Sequence, residues 1–456
     1  MTPLRTAGWA AFVVALFLPC FWTARVQGGD LGSHVFNAWL VQEVKAHPVA
    51  GVEVTTQFHN VLFDVVLEYA LKVTGSPDLA ARIGVALALA CFTGGVLIWT
   101  GFQLSATPLL LLLAHGWVLQ AGFLNFYASA GLMLGALGMW RRNRIAAVLL
   151  ALLAVSAHLL GVAMALTLAL VIALHRRFGW VSTGVLAVVA VVAQMQIGDL
   201  YATDPSRYPW LTLDALHLCV AASTPLMAAF LLLQLALLVA RRGEARREPA
   251  VGGWIFALLL GASASSALQL PFFSSPLTFL YPRFAFLVGI AFVAAASALA
   301  PLPRWFVGAS MVMVSIFGFN LWQQHAWLSQ TQLAMERAVA TVPHGARVVS
   351  TITESGRCLN AVIHLVDMAC AGGRCMSWGN YEPSSSHFRL RQTGDKEVVA
   401  LNAANGQALE GGGYVAREAD LPLYLLNPVP GTDRFHAAPV GVGERLPSIP
   451  VCRICN

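Results

Sequence analysis

Residues 141–177 have the sequence RRNRIAAVLLALLAVSAHLLGVAMALTLALVIALHRR, in which an apolar run lies between two groups of arginines. The run from 145 to 175 contains no acidic or basic residue apart from histidines, and it is too long for one membrane-spanning helix of about 20 residues. We expect two shorter helices that meet near His158 and Gly161. Because Lys and Arg in short loops mark the cytoplasmic side of a membrane, both ends of this segment are predicted to face the cytoplasm.

The whole chain has the composition of a membrane protein. Of its 456 residues, 57% are hydrophobic and only 11% are charged, and the mean hydropathy is +0.68. A soluble domain carries roughly 25% charged residues, so this chain cannot cover a water-facing surface. The composition excludes intrinsic disorder, a small secreted disulfide scaffold and an ordinary cytosolic enzyme. The net charge of +6 does not indicate nucleic-acid binding, since the placement of the charges matters more than their sum.

Apolar runs on both sides of this segment give one consistent topology. The predicted spans are 7–26, 84–102, 105–121, 123–140, two within 145–175, 179–198, 215–240, 252–270, 283–300 and 304–321. The basic residues predicted to be cytoplasmic are Arg5, Arg141, Arg142, Arg144, Arg176, Arg177, Arg241, Arg242, Arg246, Arg247 and Arg304. We therefore expect a polytopic α-helical membrane protein of about eleven transmembrane helices, with the N-terminus in the cytoplasm and the C-terminus outside.

The carboxylates near the membrane gather in two loops that this topology places outside. The first loop, residues 27–83, carries six of the 22 acidic residues, and the second loop, residues 199–214, includes Asp199 and Asp204. Acidic side chains are costly to keep at a membrane, so those that are kept there tend to be functional. We therefore predict a site at the outer membrane surface.

Residues 322–456 form a second predicted domain, which follows the transmembrane domain of residues 1–321. Charges return, Gly and Pro punctuate the segment, and no apolar run is long enough to span a membrane. The predicted elements are a strand at 345–352, a helix at 359–371, and strands at 398–401 and 423–426. A segment of this length can bury its own core, so we expect a small α/β domain in the periplasm or cell exterior.

Cysteine usage agrees with an external location for this domain. Five of the eight cysteines lie in it: Cys358, Cys370, Cys375, Cys452 and Cys455. Disulfides form in the periplasm and outside the cell, so we expect disulfide bridges here. A metal site and free thiols stay open as alternatives, because one Cys-x-x-Cys spacing is weak evidence and pairing cannot be derived from sequence.

Asp30 is the main catalytic candidate. It follows the first helix in residues 27–34, QGGDLGSH, and a helix beginning there would put Asp30 and His34 on one face. Two other interpretations are open: Asp30 would serve as a helix cap, and His34 as a hydrogen-bonded interfacial histidine.

The next part of the first loop resembles a known family. Residues 58–83, FHNVLFDVVLEYALKVTGSPDLAARI, look like the first-loop region of GT-C membrane glycosyltransferases of the protein mannosyltransferase and aminoarabinose transferase kind. His59-Asn60 stands where that family commonly has His-Pro-Pro-Leu-Tyr, without the prolines, and Gly75–Asp78 resembles its turn. Residues 122–126, GFLNF, also resemble a segment of uncharacterised bacterial proteins with this architecture.

The resemblance covers residues 1–321 and implies an inverting transfer from a polyprenyl-phosphate-linked sugar at the outer face of a bacterial cytoplasmic membrane. It assigns Asp30 as the carboxylate that deprotonates or orients the acceptor, with Asp199 or Asp204 assisting. The leaving phosphate needs a positive charge, which Arg207 or Arg283 would supply. Arg283 as an interfacial anchor and Arg207 as a solvated loop charge are the alternatives.

The remaining candidates are polar groups beside the predicted helices. His34, His59 and Asn60 join Arg207 and Arg283 as candidate substrate-binding residues. Asp30, His34 and His59 could hold a divalent metal, but nothing in their spacing singles one out, so we assign no metal and no certain cofactor. The expected partners are the lipid-linked donor, membrane lipids and an acceptor glycan, lipid or protein, with no nucleic acid.

Two further points complete the predictions. His364 and Asp367 lie three apart on the predicted helix of the C-terminal domain, and we expect them on a solvated surface. The alternative function is a non-catalytic membrane subunit that anchors a larger complex and uses its C-terminal domain as a docking module.

Overall fold

The computed structural model describes residues 2–47, 51–198, 223–262, 280–354, 361–380, 383, 388–393 and 403–451. Most of these residues are helical. The helices are α1 (Pro3–Phe17), α2 (Leu31–Ala46), α3 (Leu62–Thr74), α4 (Pro77–Thr100), α5 (Thr107–Ala114), α6 (Trp117–Gln120), α7 (Leu124–Met139), α8 (Arg144–Ala157), α9 (Leu159–Phe178), α10 (Trp180–Gly198), α11 (Ser223–Ala240), α12 (Arg242–Ala245), α13 (Pro249–Ala262), α14 (Leu280–Ala298), α15 (Arg304–Val339), α16 (Leu365–Cys370) and α17 (Ala403–Glu410).

The strands are short and lie mainly in the C-terminal part. They are β1 (Val52–Val54), β2 (Arg347–Val349), β3 (Ile352–Glu354), β4 (Met376–Ser377), β5 (Leu390–Gln392), β6 (Leu423–Pro428), β7 (Phe435–Pro439) and β8 (Ile449–Val451). One sheet has the order β4–β2–β6–β7, with β2 parallel to β4 and β6, and β7 antiparallel to β6. Strands β3 and β8 form a parallel pair, and β1 and β5 form an antiparallel pair.

Several helices have the length and composition of membrane spans. Four are long and apolar enough to cross a membrane: Pro3–Cys20, Pro77–Thr100, Leu159–Phe178 and Arg304–Val339. Seven further apolar helices in the described part of the chain are shorter: Leu104–Gln120, Leu124–Met139, Arg144–Ala157, Trp180–Ala193, Ala228–Ala240, Pro249–Gly261 and Arg283–Ala298. These helices fit a membrane protein, while the number of eleven spans stays a prediction.

The predicted break within residues 145–175 is confirmed. Helix α8 ends at Ala157 and α9 begins at Leu159, and His158 lies between them in an extended conformation. The Nδ1 atom of His158 accepts a hydrogen bond from the backbone N–H of Leu160 at 3.1 Å. This side chain therefore supplies a partner for one of the N–H groups that a helix start leaves unpaired.

Three connections between helices lie together at one end of the helical part: the turn after α9, residues 241–248, and residues 299–303. The indole N–H of Trp180, which follows the Arg176 cluster, donates to the Arg246 carbonyl at 3.1 Å. The Arg241 guanidinium donates to the carbonyls of Leu299 and Pro301, just before α15. This shared position is what the predicted cytoplasmic placement of these loops requires.

Aromatic rings hold the centre of the helical part together. Phe92 of α4, Tyr127 of α7 and Phe286 of α14 pack with ring centroids 4.4 to 5.6 Å apart. All three side chains are buried. Their contact fixes the N-terminal end of α14, where Arg283 lies, against the start of α7.

The C-terminal part follows the last apolar helix without a break. Helix α15 continues from Arg304 to Val339, past the predicted domain boundary at residue 321. The predicted strand at 345–352 is interrupted at residues 350–351, so it contains β2 and only the first residue of β3. The predicted strand at 423–426 lies within β6, and the predicted helix at 359–371 contains the shorter α16. The predicted strand at 398–401 lies outside the described residues. The division into two domains, and its placement outside the membrane, stay predictions.

Helix α2 belongs to two hydrophobic cores at once. Its residues Leu31 and Val35 are buried in the core of the apolar helices. Phe36 and Leu40 are buried in a second core, which they share with α15, α16 and the β-sheet. The first loop therefore packs between the apolar helices and the C-terminal part, and it positions the residues that precede α2.

A strand pair and an ion cluster reinforce this attachment. Strand β1 of the first loop pairs with β5, and Glu68 of α3 contacts both Lys45 at 2.5 Å and Arg389 at 2.8 Å. Burial raises the pKa of Glu68, but the hydrogen bonds from Lys45 and Arg389 outweigh burial and hold that pKa below its usual range. Glu68 therefore stays ionised and links α2, α3 and the residue that precedes β5.

Candidate active site

Asp30 lies in the turn immediately before α2. It occupies the N-cap position, but its side chain makes no capping hydrogen bond. Backbone contacts hold the turn instead: the N–H groups of Gly29 and Asp30 donate to the carbonyls of Gln120 and Ala121 at 2.7 and 3.0 Å. The interpretation of Asp30 as a helix cap is therefore wrong, because the side chain does not make the hydrogen bond that a cap requires. The Asp30 side chain is 36% exposed. The carboxylate is thus accessible and its backbone is fixed.

Two glycines allow other backbone segments to approach Asp30. A Cβ on Gly122, whose φ is +85°, would lie 2.4 Å from the Asp30 nitrogen. A Cβ on Gly32 would lie 2.0 Å from the His364 carbonyl oxygen. Since real Cβ atoms do not approach other atoms this closely, both positions require glycine. Asp30 is therefore held between the turn before α7 and the segment that begins α16.

Replacing Gly32 with Ala is expected to destabilise the protein by about 1–3 kcal/mol, because the added methyl group must push α16 away from α2. Thermal unfolding in detergent measures the change. The matched control is Gly94→Ala in α4, where an added Cβ meets nothing within 4 Å and where alanine favours the helix by about 0.5–1 kcal/mol. Equal unfolding temperatures for the two variants would contradict the close approach at Gly32.

A buried polar group of the C-terminal part faces Asp30. The Nε2 atom of His364 lies 3.7 Å from Asp30 Oδ1, which is an ion-pair distance and longer than a hydrogen bond. The other ring nitrogen, Nδ1, lies 2.6 Å from Asp367 Oδ2, and Ser377 Oγ donates to Asp367 Oδ1. His364 and Asp367 are 7% and 1% exposed. His364, Asp367 and Ser377 therefore form a continuous series of contacts that begins beside Asp30.

Arg283 is a second charged side chain that interacts with Asp30. Its guanidinium carbon lies 4.8 Å from the ring centroid of Phe123 and 5.2 Å from that of Phe126. The side chain is half-buried, its Nε has no hydrogen-bond partner among the described residues, and it interacts electrostatically with Asp30. A guanidinium that stacks on aromatic faces keeps its N–H groups directed outward at its edge. Arg283 can therefore offer donors to an anion next to Asp30.

His34 pairs with a different carboxylate. Its Nδ1 lies 2.7 Å from Asp64 Oδ1, and its ring packs edge-on against Phe63 at 5.4 Å. Asn125 Nδ2 donates to Asp64 Oδ2 at 3.2 Å, and Asn125 Oδ1 accepts from the Phe63 N–H at 2.8 Å. The start of α2 puts His34 where the sequence predicts it, but its buried position fits the interpretation of a hydrogen-bonded histidine rather than that of a substrate ligand.

His59 and Asn60 lie before α3, near the same region. His59 is exposed, and Asn60 adopts a φ of 56°, which asparagine tolerates better than most residues. The Asn60 carbonyl accepts from Asn125 Nδ2 at 3.4 Å. His158 interacts electrostatically with both His59 and Arg283. His59 is therefore available to a ligand near Arg283, while Asn60 shapes the turn.

The other candidates of the second outer loop lie outside the described residues. These are Asp199, Asp204 and Arg207. Within the part of the chain that the structure describes, no three or more His, Cys, Asp or Glu side chains form a group that could hold a metal ion. Asp30, His34 and His59, all of which are described, do not form such a group. The described geometry thus rests on Asp30, His364 and Arg283.

One disulfide lies directly beside this group. Cys370, the last residue of α16, is bonded to Cys375, which precedes β4. The prediction of a disulfide in the C-terminal part is confirmed for this pair, whereas Cys358, Cys452 and Cys455 lie outside the described residues. The bond links the helix that carries Asp367 to the strand that carries Ser377.

The expectation for His364 and Asp367 is wrong. Both were predicted on a solvated surface because they lie on one face of a helix, yet that face meets α2 and β4 instead of water. Two features of the sequence favour a buried position instead. Most residues of Leu365–Cys370 are apolar, and a glycine that allows close approach of another segment, Gly32, lies two positions after Asp30. Neither feature identifies the partner segment by itself.

No protein-family profile matches the chain, and no curated protein matches it in sequence. The chain is similar to a solved structure, the crystal structure of ArnT from Cupriavidus metallidurans in the apo state, with a TM-score of 0.49 and 14% sequence identity over 92% of each chain. A likeness of this degree establishes neither the fold nor the activity of this chain.

Proposed function

We propose that the protein transfers a sugar from a polyprenyl-phosphate donor to an acceptor hydroxyl at the outer face of a bacterial cytoplasmic membrane. The observation that carries this proposal is the position of Asp30, an accessible carboxylate that interacts electrostatically with Arg283 at the end of an apolar helix. A base and a cation for phosphate are what glycosyl transfer from a lipid phosphate needs. The resemblance of residues 58–83 to GT-C glycosyltransferases points the same way.

In the proposed reaction, Asp30 takes the proton of the acceptor hydroxyl. The acceptor oxygen attacks the anomeric carbon from the face opposite the phosphate, so the configuration inverts. The bond between the anomeric carbon and the phosphate oxygen breaks, and its electron pair stays on the phosphate. The negative charge on the leaving phosphate grows in the transition state, and Arg283 stabilises that added charge. The interaction with Arg283 is therefore stronger in the transition state than with the bound donor.

Other candidates take supporting roles in this proposal. His59, which is exposed and lies near His158 and Arg283, would contact the sugar or phosphate of the donor. Asp199, Asp204 and Arg207 would complete the site from the second outer loop. The lipid chain would lie along the apolar helices, where its burial is favourable.

The test uses the full-length protein in nanodiscs. A panel of polyprenyl-phosphate-linked hexoses and pentoses is supplied as donors with an extract of membrane glycolipids as acceptors, and released polyprenyl phosphate is measured by mass spectrometry. Release that requires the protein is the expected result. No release from any donor, together with proteins that copurify in fixed proportion, would contradict the proposal and favour the membrane anchor with a docking module.

A further inference from the structure

We propose that His364 acts on Asp30 as a positioning residue and takes the proton that Asp30 removes from the acceptor, so that the C-terminal part completes the site. This inference rests on the proposed function, since it concerns the same carboxylate. Asp30 alone was assigned from the first loop, whereas His364 comes from a segment that the sequence places far from it. The turn before α2 and the start of α16 pack together, and this contact brings Asp30 and His364 into one site.

The hydrogen bonds around His364 determine which ring nitrogen faces Asp30 with a lone pair. Asp367 accepts at Oδ2 from Nδ1 at 2.6 Å, and its Oδ1 accepts from the Ser377 hydroxyl. Because a carboxylate accepts hydrogen bonds from N–H groups, the neutral imidazole carries its proton on Nδ1. Nε2 is then the basic nitrogen, and it lies 3.7 Å from Asp30 Oδ1.

The distance between Asp30 and His364 fits a contact that forms during the reaction. Hydrogen bonds of catalytic groups are often long in unliganded proteins and shorten when the substrate is bound. The backbone around both residues is fixed, because Gly32 packs against the His364 carbonyl and Gly122 packs against Asp30. A shorter contact therefore requires movement of the Asp30 side chain, which is 36% exposed, rather than movement of the backbone.

The proton has a defined course in this scheme. It leaves the acceptor oxygen as the new glycosidic bond forms, binds to Asp30, and passes to Nε2 of His364. The resulting imidazolium keeps its hydrogen bond from Nδ1–H to Asp367, so its positive charge forms beside a hydrogen-bond acceptor. Asp30 regains its negative charge and is ready for the next acceptor. No oxidant, reductant or further reactant is needed.

A cavity borders His364. It has a volume of about 30 Å³ and is lined by His364, Asp367, Ser350, Thr351 and Thr353, among others. About 10–15 Å³ holds one water molecule, so two fit. The Thr351 hydroxyl is buried here and has no hydrogen-bond partner among the described residues, which suits a water neighbour.

Among the described residues, two carboxylates lie beside His364. Asp30 faces it from the turn before α2, and Asp367 lies on its own helix. The two carboxylates lie at different ring nitrogens, so a proton received on Nε2 is held next to Asp30 while Nδ1–H stays bonded to Asp367.

The first test is activity with chemical rescue. His364→Ala in nanodiscs is expected to release polyprenyl phosphate about 100-fold more slowly than the wild type, with KM for the donor unchanged. Added imidazole is expected to restore part of the rate, which a purely structural role would not allow. The matched control is His436→Ala, an exposed histidine of β7, for which wild-type rates are expected.

The second test needs no activity. Thermal unfolding is measured for Asp30→Asn, His364→Gln and the double variant. If the two side chains interact, the loss in the double variant is smaller than the sum of the single losses. Additive losses would overturn the inference. Should His364→Ala fail to fold, Ser377→Ala gives the same rate test by weakening the hold of Asp367 on the ring.

The two levels of the proposal fail in different ways. Wild-type turnover in His364→Ala would overturn the role of His364 and leave the proposed function intact, provided that Asp30→Asn is inactive. Absence of turnover by the wild-type protein with every donor would overturn the proposed function and this role with it.

Discussion

Replacing Asp30 with Asn is expected to lower the turnover of sugar transfer by about 10²–10⁴-fold, because the amide cannot take a proton from the acceptor hydroxyl. Asparagine has nearly the same size as aspartate, and the Asp30 side chain makes no capping hydrogen bond that the change would remove. The fold should therefore survive, and the thermal unfolding temperature should fall by no more than the loss of the contact with His364 explains. Release of polyprenyl phosphate under saturating donor is the measurement.

The control for this change is a carboxylate elsewhere on the surface. Asp433 lies exposed between β6 and β7, and Asp433→Asn should leave turnover unchanged. A third variant, Asp30→Glu, keeps the charge but moves it by one methylene, so an intermediate rate is expected. Full activity in Asp30→Asn would remove Asp30 from the mechanism and with it the assignment of the site.

Replacing Arg283 with Met is expected to lower turnover by about 10²–10³-fold, the usual effect of losing one group that stabilises developing negative charge. Methionine keeps the apolar contact with Phe123 and Phe126 while removing the cation. Because the leaving phosphate gains charge in the transition state, the loss should fall mainly on kcat. A rise in KM with kcat unchanged would instead mean that Arg283 only holds the donor.

Two further variants separate charge from geometry at this position. Arg283→Lys keeps the positive charge but lacks the planar fork and its stacking, so it should recover only part of the rate. Arg304→Met removes an exposed arginine at the start of α15 and should leave the rate unchanged. Wild-type turnover in Arg283→Met would show that this side chain is an interfacial anchor.

Local patterns in the sequence predicted part of this arrangement well. The break at His158 follows from the length of one apolar run between two arginine groups. Asp30 and Arg283 are candidates because so few charged residues lie near the apolar runs, and each is a short distance from the end of one; their roles stay predictions. The disulfide in the C-terminal part follows from the concentration of cysteines there. Each of these features depends on residues close together in the chain.

The rest depends on contacts between distant segments, which a single sequence does not encode in any visible pattern. The polar face of residues 359–371 is the face that a solvated helix would show, and only the packing of α16 on α2 turns it inward. The pairing of His34 with Asp64, in place of Asp30, depends in the same way on how α2 meets α3. The roles of the second outer loop stay predictions.

The pairing of β1 with β5 has a consequence for the synthesis of the protein. Thr55 and Arg389, whose hydroxyl and carbonyl form a hydrogen bond beside these strands, are 334 positions apart. A growing chain has inserted its apolar helices long before the residues that face Asp30 leave the ribosome. During that interval β1 has an unpaired edge and the proposed base has no partner from the C-terminal part. Premature chain termination before residue 364 would thus give a product that lacks the residues facing Asp30, and under the proposed function the protein would become active only at the end of its own translation.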